Sequence, residues 1–168
     1  EANYNGSDSF TFKASDGLVD SNTSSVTLTI TSVNDAPLSS TISTTTTEDT
    51  SAEIKLTATD ADGDSLTYSV VTTPEHGTVS ITGSTATYTP EANYNGSDSF
   101  TFKASDGLAD SNISSVTLTI TSVNDAPISS TASATTAEDG SVEIQLTATD
   151  VDEDDLTYLV VSAPEHGT

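Results

Sequence analysis

The side chains best suited to chemistry in this sequence are carboxylates that recur at short spacing. The stretch Asp60-Ala61-Asp62-Gly63-Asp64 follows a Thr-Ala-Thr run, and a second copy of the stretch begins at Asp150. Residues i and i+2 of an extended segment point the same way, so Asp60 and Asp62 present two negative charges to one point. Ca²⁺ takes about six to eight hard oxygen ligands of this kind. The spacing predicts a Ca²⁺ site, with a solvated acidic turn as the alternative.

The overall charge indicates which partners suit the chain. Its 168 residues include 26 Asp and Glu, three Lys and no Arg, for a formal net charge of −23. Such a surface repels nucleic acid and anionic lipid, and its natural counter-ions are cations. Cys is absent, which excludes a disulfide framework and agrees with secretion. No apolar run approaches the roughly 20 residues of a membrane span, so direct membrane insertion of this segment is not expected.

Other calcium motifs and catalytic arrangements do not fit. An EF-hand loop beginning at Asp60 needs Gly and Glu at its sixth and twelfth positions, which hold Ser65 and Val71. The copy beginning at Asp150 fails at the same two positions. No nucleophile is paired with a base, and His76 and His166 both lie in Pro-Glu-His-Gly turns. The chain is therefore predicted not to be an enzyme.

The carboxylates belong to a long internal repeat. Residues 1–37 and 91–127 differ at two positions only, and residues 38–78 match residues 128–168 at 28 of 41 positions. The period is 91 − 1 = 90 residues, the size of a whole domain and not of one solenoid coil.

Within one period, apolar and polar residues alternate with the period of two that is typical of strands with one solvated face. Seven such segments are present, at residues 40–46, 52–59, 66–71, 78–82, 85–89, 99–104 and 114–121. No segment shows helical spacing. The pattern predicts an all-β fold, a seven-stranded antiparallel Greek-key sandwich of the immunoglobulin-like type.

The domain boundaries fall at the sequence VNDAP, which occupies residues 33–37 and 123–127. Proline cannot donate to a sheet ladder and holds the preceding residue extended, so each copy ends a strand. We therefore expect a complete domain at 38–125, the last two strands of a partial domain at 1–35, and the first three strands of another at 128–168. The partial domains are expected to leave strand edges unpaired, with local disorder or strand exchange between chains. The sequence opens within a repeat, so we expect a longer polypeptide with any export signal or anchor outside this segment.

Several of these motifs, in this order, resemble cadherins. KLTATDADGDSLTYSV is similar to the cadherin stretch in which an Asp-x-Asp pair follows an Ala-Thr strand end. FKASDGLADSNISSVTLTITSVNDAP is similar to the cadherin ending, with its Ala-x-Asp-Gly turn and Asn-Asp-x-Pro linker. PEHGTVSITG and TPEANYNGSDSFTFKASDG resemble more closely the bacterial cadherin-like tandem repeats of large surface adhesins. The resemblance covers the whole chain and implies tandem immunoglobulin-like (cadherin-like) sandwiches with Ca²⁺ between successive domains.

The resemblance also implies a ligand set for each junction. The first junction, at linker 33–37, would use Asn34, Asp35, Asp60, Asp62 and Asp106. The second junction, at linker 123–127, would use Glu48, Glu91, Asn124, Asp125, Asp150 and Asp152. Two linker positions that carry Asp and Asn in cadherins hold Ser and Ala here, at Ser32 and Ala36 and at their copies. Fewer oxygens imply one or two ions per junction, with dissociation constants of roughly 10⁻⁴–10⁻³ M.

The predicted function is a calcium-binding structural repeat of a large extracellular bacterial adhesin or stalk protein, with Ca²⁺ rigidifying the linkers between domains. Its partners would be neighbouring repeats of the same chain and a host-cell, matrix or glycan surface. The location would be extracellular or on the cell surface of the secreting bacterium. The alternatives are a glycan- or protein-binding module and a spacer domain in a secreted enzyme.

Overall fold

The computed structural model describes residues 2–167, which form thirteen strands and contain no helix that could span a membrane. The strands are β1 Gly6–Phe12, β2 Ser24–Ile30, β3 Leu38–Ser39, β4 Ile42–Thr47, β5 Ala52–Lys55, β6 Ala58–Thr59, β7 Thr67–Thr72, β8 Gly77–Thr82, β9 Thr85–Pro90, β10 Gly96–Ser105, β11 Ser114–Thr121, β12 Ile128–Ser129 and β13 Ala148–Thr149. Glu1 and Thr168, the outermost residues of the two predicted partial domains, lie outside the described range.

Residues 38–125 form a sandwich of two main sheets, which we call the middle domain. One sheet has four strands in the order β4-β11-β10-β7, and the other has three in the order β5-β9-β8. The chain passes from one sheet to the other after β4, between β5 and β7, after β7 and after β9. Each sheet therefore depends on strands from both halves of the domain sequence, which is the arrangement expected of a sandwich.

The core lies between the two sheets and follows from the alternation in the sequence. In β11, Val116, Leu118 and Ile120 are buried, whereas the threonines between them are exposed. In β10, Phe100 and Phe102 are fully buried on the same inner face. Because side chains of a strand alternate between faces, each strand gives one face to the core and one to water. The predicted all-β sandwich is confirmed.

The prediction that all seven strands are antiparallel is wrong at one edge. Strand β4 pairs with β11 in parallel, from Ile42 opposite Val116 to Thr47 opposite Thr121. The strand before it, β3, pairs antiparallel with β6. The chain then crosses to the facing sheet at residues 40–41 without reversing. Its continuation β4 therefore meets β11 running in the same direction.

The predicted strand at residues 52–59 is also wrong, because it divides into β5 and β6. Strand β5 pairs with β9 and β6 with β3, so the two pieces belong to different sheets. Between them, the backbone N–H of Leu56 donates to the carbonyl of Ser84 at 2.8 Å, and the Leu56 side chain is buried. This break directs the end of β6 towards the linker that precedes β3.

The flanking segments hold fewer strands than the middle domain. Residues 2–35 contain the hairpin β1–β2. Of the three strands predicted in residues 128–168, only Ala148–Thr149 pairs, with β12. The counterparts of the missing strands pair in the middle domain with β9, β10 and β11, and these have no equivalent within residues 128–167. Without these partners, the ladder hydrogen bonds of the segment cannot form.

Candidate functional site

A short strand pair builds each junction between domains. Leu38 lies opposite Thr59 at the first junction, and Ile128 lies opposite Thr149 at the second. In each case one residue follows the linker proline directly and the other precedes the first Asp of the acidic loop. The pairing therefore places each acidic loop beside its Asn-Asp linker, although the two are 25 residues apart in sequence.

The linker of the first junction contacts two parts of the middle domain. The backbone N–H of Asp35 donates to Oδ2 of Asp62 at 2.7 Å. The side-chain amide of Asn34 donates to Oδ2 of Asp106 at 2.9 Å. The linker, the acidic loop and the Ala-Ser-Asp-Gly turn are thus brought to one place, together with all five residues predicted for this junction.

The acidic loop folds around the carboxylate of Asp60. Its Oδ1 accepts the backbone N–H groups of Asp62 at 2.9 Å and Asp64 at 3.2 Å. Gly63 adopts a φ of 79°, a left-handed conformation that closes the turn at little cost for glycine. One carboxylate oxygen from each of Asp60, Asp62 and Asp64 then lies within 4.8 Å of the others.

One oxygen of Asp60 has no partner. Oδ2 is buried and accepts no hydrogen bond from any residue in the range 2–167. A buried carboxylate oxygen without a donor is costly, because it has lost its water and gained nothing in exchange. A bound cation would remove this cost.

Asp106 is held ionised by its own turn. Its Oδ1 accepts the backbone N–H groups of Ala109 and Leu108, both at 2.7 Å. The hydrogen bond from Ala109 lowers the pKa of Asp106 most, followed by those from the Asn34 side chain and from Leu108. These hydrogen bonds favour the ionised form of the carboxylate, which is the form that can face a cation.

The second junction repeats this geometry. The backbone N–H of Asp125 donates to Oδ2 of Asp152 at 2.6 Å, and the N–H of Asp152 donates to Oδ1 of Asp150 at 3.0 Å. Asp150, Asp152 and Asp154 again bring one carboxylate oxygen each within 4.8 Å of one another. Glu153 occupies the place of Gly63 and adopts a φ of 61°, which is unusual for a residue with a side chain.

Asp125 lies at the centre of the negative charge at the second junction. Its Oδ2 is buried and has no hydrogen-bond partner among residues 2–167. Burial raises the pKa of Asp125 most, and the negative charges nearby raise it further. Those charges belong to Asp49, Asp152, Glu48 and Asp150, in decreasing order of effect.

Two acids of the middle domain, which directly follow β4, also lie at this junction. Glu48 is 2% exposed, and its Oε1 accepts the backbone N–H of Val123 at 2.6 Å, just before the linker Asn-Asp pair. Asp49 has a φ of 57° and accepts the backbone N–H of Asn93 at 3.1 Å. Glu48 was predicted as a ligand, whereas Asp49 was not. The adjacent acids Glu48-Asp49 were the signal that could have identified it.

Glu91 is placed differently from the other predicted residues. Its carboxylate lies 3.8 Å from Nδ1 of His76, and its backbone N–H donates to the His76 carbonyl at 2.9 Å. The residue of this segment that faces the junction is Asn93, which lines a cleft together with Asp125 and Asp150.

A pair of asparagines from the preceding domain faces the acids at both junctions. Asn93 and Asn95 line a cleft with Asn124, Asp152 and Asp154 at the second junction. Asn3 and Asn5, their copies 90 residues earlier, line the equivalent cleft with Asp35 and Asp62 at the first. None of these four asparagines was among the predicted ligands.

The oxygen set at each junction fits a calcium ion. Carboxylate and amide oxygens are the ligands that Ca²⁺ prefers, at about 2.3–2.6 Å from the ion, so two of its ligands can lie up to about 5 Å apart. The 4.8 Å limit within each Asp triad satisfies this spacing. Asp60 Oδ2 and Asp125 Oδ2, both buried and without a hydrogen-bond donor among residues 2–167, are the oxygens that a cation would satisfy.

Comparison with known sequences then identifies the family. The sequence profile described as the bacterial Ig domain matches residues 34–121 and again residues 124–168. The chain belongs to the bacterial Ig domain family. The predicted bacterial immunoglobulin-like tandem repeat is thereby confirmed, and its two matched stretches correspond to the internal repetition. No curated protein sequence matches this bacterial Ig chain.

Solved structures show that this bacterial Ig fold is also cadherin-like. Extracellular cadherin domains 1–4 of protocadherin gamma B7 are 16% identical, with a TM-score of 0.54 over 87% of this chain and 41% of that one. The protocadherin gamma B4 extracellular domain is 20% identical, with a TM-score of 0.51 over 85% of this chain and 28% of that one. The endo-fucoidan hydrolase MfFcnA4 is 24% identical, with a TM-score of 0.45 over 71% of this chain and 19% of that one. The chain thus spans less than half of each of these proteins, and the protocadherin matches establish the fold.

Proposed function

We propose that this chain is a segment of an extracellular bacterial stalk or adhesin in which Ca²⁺ joins neighbouring domains at the VNDAP junctions. The ion would neutralise carboxylates that face one another from two domains and the linker between them. A neutralised junction holds the two domains in one orientation, and a series of such junctions makes a stiff rod. The neighbouring repeats of the same chain are the partners of each domain.

The environment of Asp125 is the observation that carries this proposal. Its buried Oδ2 has no donor among residues 2–167, and four other carboxylates act on it. Two of them come from the middle domain and two from the acidic loop beyond the linker. Like charges brought together from two domains repel the domains, unless a cation lies between them. The junction is therefore complementary to a divalent cation.

The ligands that would hold the ion differ slightly from those predicted. At the second junction they would be Asp125, Asp150 and Asp152, with Glu48 and Asp49 from the preceding domain. At the first they would be Asn34, Asp35, Asp60, Asp62 and Asp106. Glu91 is better described as the partner of His76. The ion supplies positive charge, and the chain supplies oxygens held by backbone hydrogen bonds.

Competing binding functions find less support in the middle domain. A sugar site usually presents aromatic rings to solvent. The rings of Tyr88, Phe100 and Phe102 are fully buried in the core, and Tyr68 and Tyr94 pack against it. A glycan-binding function would need an aromatic platform, which none of these five rings offers.

The test is a thermal and scattering comparison of the full chain in chelator and in Ca²⁺. A ligand at ten times its Kd stabilises a folded state by about 1.4 kcal/mol, which for a domain of this size is a rise in Tm of about 5–10 °C. Small-angle scattering should also give a larger maximum dimension in Ca²⁺, with a smaller spread of conformations. An identical Tm and an identical maximum dimension in both conditions would reject the proposal.

A pair of variants makes this test specific. Asp125→Asn removes the central carboxylate of the second junction, so the Ca²⁺-dependent rise in Tm should fall by about half, because the first junction keeps its own ligands. Glu53→Gln removes the same charge from an exposed position in the middle of β5 and should leave the response unchanged. If the two variants lose the response equally, the effect is general charge screening and not a junction site.

A further inference from the structure

Asparagine precedes glycine at two places in the chain, and both places lie at a junction. The two dipeptides are Asn5-Gly6 and Asn95-Gly96, whereas the other asparagines of the sequence precede Tyr, Thr, Asp or Ile. The asparagine of the second dipeptide lines the cleft that contains Asp152. That of the first lines the equivalent cleft, which contains Asp62. The asparagine dipeptide most prone to lose its side-chain amide is therefore found beside each acidic loop.

The glycine of the second dipeptide is required by packing. A Cβ on Gly96 would lie 2.9 Å from the hydroxyl oxygen of Tyr94, which donates to the carbonyl of Ser97 at 3.0 Å. Gly96 also has a φ of 142°, which a residue with a side chain rarely adopts. The tyrosine thus leaves no room for a side chain at residue 96. This requirement fixes the glycine and places no condition on the residue before it.

Backbone conformation does not explain the asparagine at residue 95. Asparagine is common before glycine in tight turns because it tolerates a positive φ. In this segment the positive φ, of 57°, belongs to Asn93, and Asn95 does not share it. Asn95 is exposed and lies directly before β10. What distinguishes this residue is the cleft that it lines and the reactive amide that it brings there.

An exposed asparagine before glycine reacts with its own backbone. The backbone nitrogen of Gly96 attacks the side-chain amide carbon of Asn95 and forms a C–N bond. The side-chain nitrogen leaves as ammonia and takes the proton that the backbone nitrogen loses. Water then opens the resulting succinimide ring at either of its two carbonyls, which yields aspartate or isoaspartate. Each product carries one carboxylate in place of the amide, and water is the only co-reactant.

We propose that Asn95-Gly96 is a self-modification site, at which deamidation adds a carboxylate ligand for the divalent cation of the second junction. Asn5-Gly6 is the equivalent site at the first junction. The ligand role rests on the proposed calcium junction, whereas the covalent step does not. The junction of a newly made chain would thus differ in charge from the junction of an aged one.

The new carboxylate would enter a cleft that is already acidic. Asp152 and Asp154 line this cleft, and each contributes one oxygen to the triad whose oxygens lie within 4.8 Å of one another. Without a cation, a further negative charge increases the repulsion across the junction. With Ca²⁺, it adds an anionic oxygen, and the number of charged ligands is one of the properties that set Ca²⁺ affinity. Deamidation therefore makes the junction more dependent on calcium.

The covalent step is tested by incubating the full chain in mildly alkaline buffer with chelator, followed by peptide mapping with mass spectrometry. Asn95 should convert to aspartate and isoaspartate roughly tenfold faster than Asn93, because glycine has no Cβ to obstruct the attacking nitrogen. Asn93 is the matched control, since it lines the same cleft but precedes tyrosine. An amide that persists at Asn95, or equal rates at the two residues, would overturn the proposal.

Two variants of residue 95 test the consequence for the junction. Asn95→Asp carries one of the products from the start, and Asn95→Gln keeps an amide whose longer side chain disfavours ring closure. The amide signal of Asp125 reports Ca²⁺ binding in both, and the Kd should be about three- to tenfold lower in Asn95→Asp, which has the additional charged ligand. Asn22→Asp makes the same charge change in the exposed β1–β2 loop and should leave the Kd at Asp125 unchanged.

The ligand role and the calcium junction fail in different ways. If Asn95→Asp and Asn95→Gln bind Ca²⁺ at Asp125 with the same Kd, residue 95 is not a ligand and the calcium junction stands. If Asn95 converts but the Asp125 amide signal does not respond to Ca²⁺ in any variant, the calcium junction is rejected and the ligand role with it. A lower Kd in Asn22→Asp equal to that in Asn95→Asp would show a general charge effect and overturn the proposal.

Discussion

Asp98 and Asp8 occupy equivalent positions of the 90-residue repeat, but their environments differ. Asp98 is buried and accepts hydrogen bonds from the Tyr88 hydroxyl at 2.8 Å and from the backbone N–H groups of Glu75 and His76, both at 3.0 Å. Asp8 is exposed and accepts one hydrogen bond, from the N–H of Ser9 at 2.7 Å. Asp98 fixes the corner between β7 and β8, whereas Asp8 fixes nothing beyond its own strand.

We predict that Asp98→Asn destabilises the middle domain by about 1–3 kcal/mol, because an amide cannot accept all of the buried donors that the carboxylate accepts. Asp8→Asn should change the free energy of unfolding by less than about 0.5 kcal/mol. Chemical denaturation at pH 7 measures both values. Equal effects of the two variants would contradict the structural role of Asp98.

The same pair of variants has a defined pH dependence. Burial raises the pKa of Asp98, but the hydrogen bonds from Tyr88 and from three backbone N–H groups outweigh it and lower the pKa below 3.8. Stability from a lowered carboxylate pKa is fully present above the unfolded value of about 3.9 and is lost as pH falls through the folded pKa. The difference between wild type and Asp98→Asn should therefore shrink below about pH 4.

At the residue scale, spacing drew attention to the Asp-x-Asp pairs, and the resemblance to cadherins drew attention to the Asn-Asp linkers. The spacing argument assumed an extended segment, whereas the structure has a turn in which Asp60 accepts the N–H groups of Asp62 and Asp64. Asp49 and Asn93 were missed because their position depends on a long-range contact, the hydrogen bond from Asn93 to Asp49 across 44 residues. Nothing in either local sequence specifies that contact.

At the scale of elements, alternation predicted nearly every strand but not how the strands divide between sheets. Residues 52–59 alternate without interruption, so they were read as one strand. The break into β5 and β6 falls after Leu56, whose backbone N–H still donates to Ser84 in the β5–β9 register, whereas the carbonyl of Thr57 already accepts the N–H of Ser40 beside β3. Alternation reports which face is buried and says little about which neighbour a strand pairs with.

Strand β8 begins at Gly77, where the neighbouring strand leaves no room for a side chain. A Cβ on Gly77 would lie 2.5 Å from the carbonyl oxygen of Thr89 and 2.8 Å from the Tyr88 ring. The copy of this residue, Gly167, has only Pro164 within reach, at 3.7 Å. The close packing of β8 on β9 therefore leaves no room for a side chain at residue 77.

We predict that Gly77→Ala destabilises the middle domain by about 1–3 kcal/mol through overpacking. Gly167→Ala should leave its stability within about 0.5 kcal/mol of the wild type. Thermal unfolding of the two variants provides the comparison. A Gly77→Ala protein as stable as Gly167→Ala would show that β8 does not pack against Tyr88 as described.

At the scale of the whole molecule, the 90-residue repeat predicted the tandem organisation, and the bacterial Ig family match agrees with it. The parallel edge formed by β4 was not predictable, because it depends on how the chain crosses between sheets at residues 40–41. The net charge of −23 is distributed so that carboxylates from two domains meet at the second linker. The central claim is that a divalent cation is what makes this meeting favourable.

The most direct measurement is a Ca²⁺ titration of the isotope-labelled chain followed by its backbone amide NMR signals. The account predicts saturable shifts concentrated at the two linkers and at their acidic loops, above all at the amides of Asp35 and Asp125. The exposed acid Glu53, in the middle of β5, should be nearly unaffected. Signals that do not move, or that move evenly at every exposed acid, would contradict the binding of Ca²⁺ at the junctions.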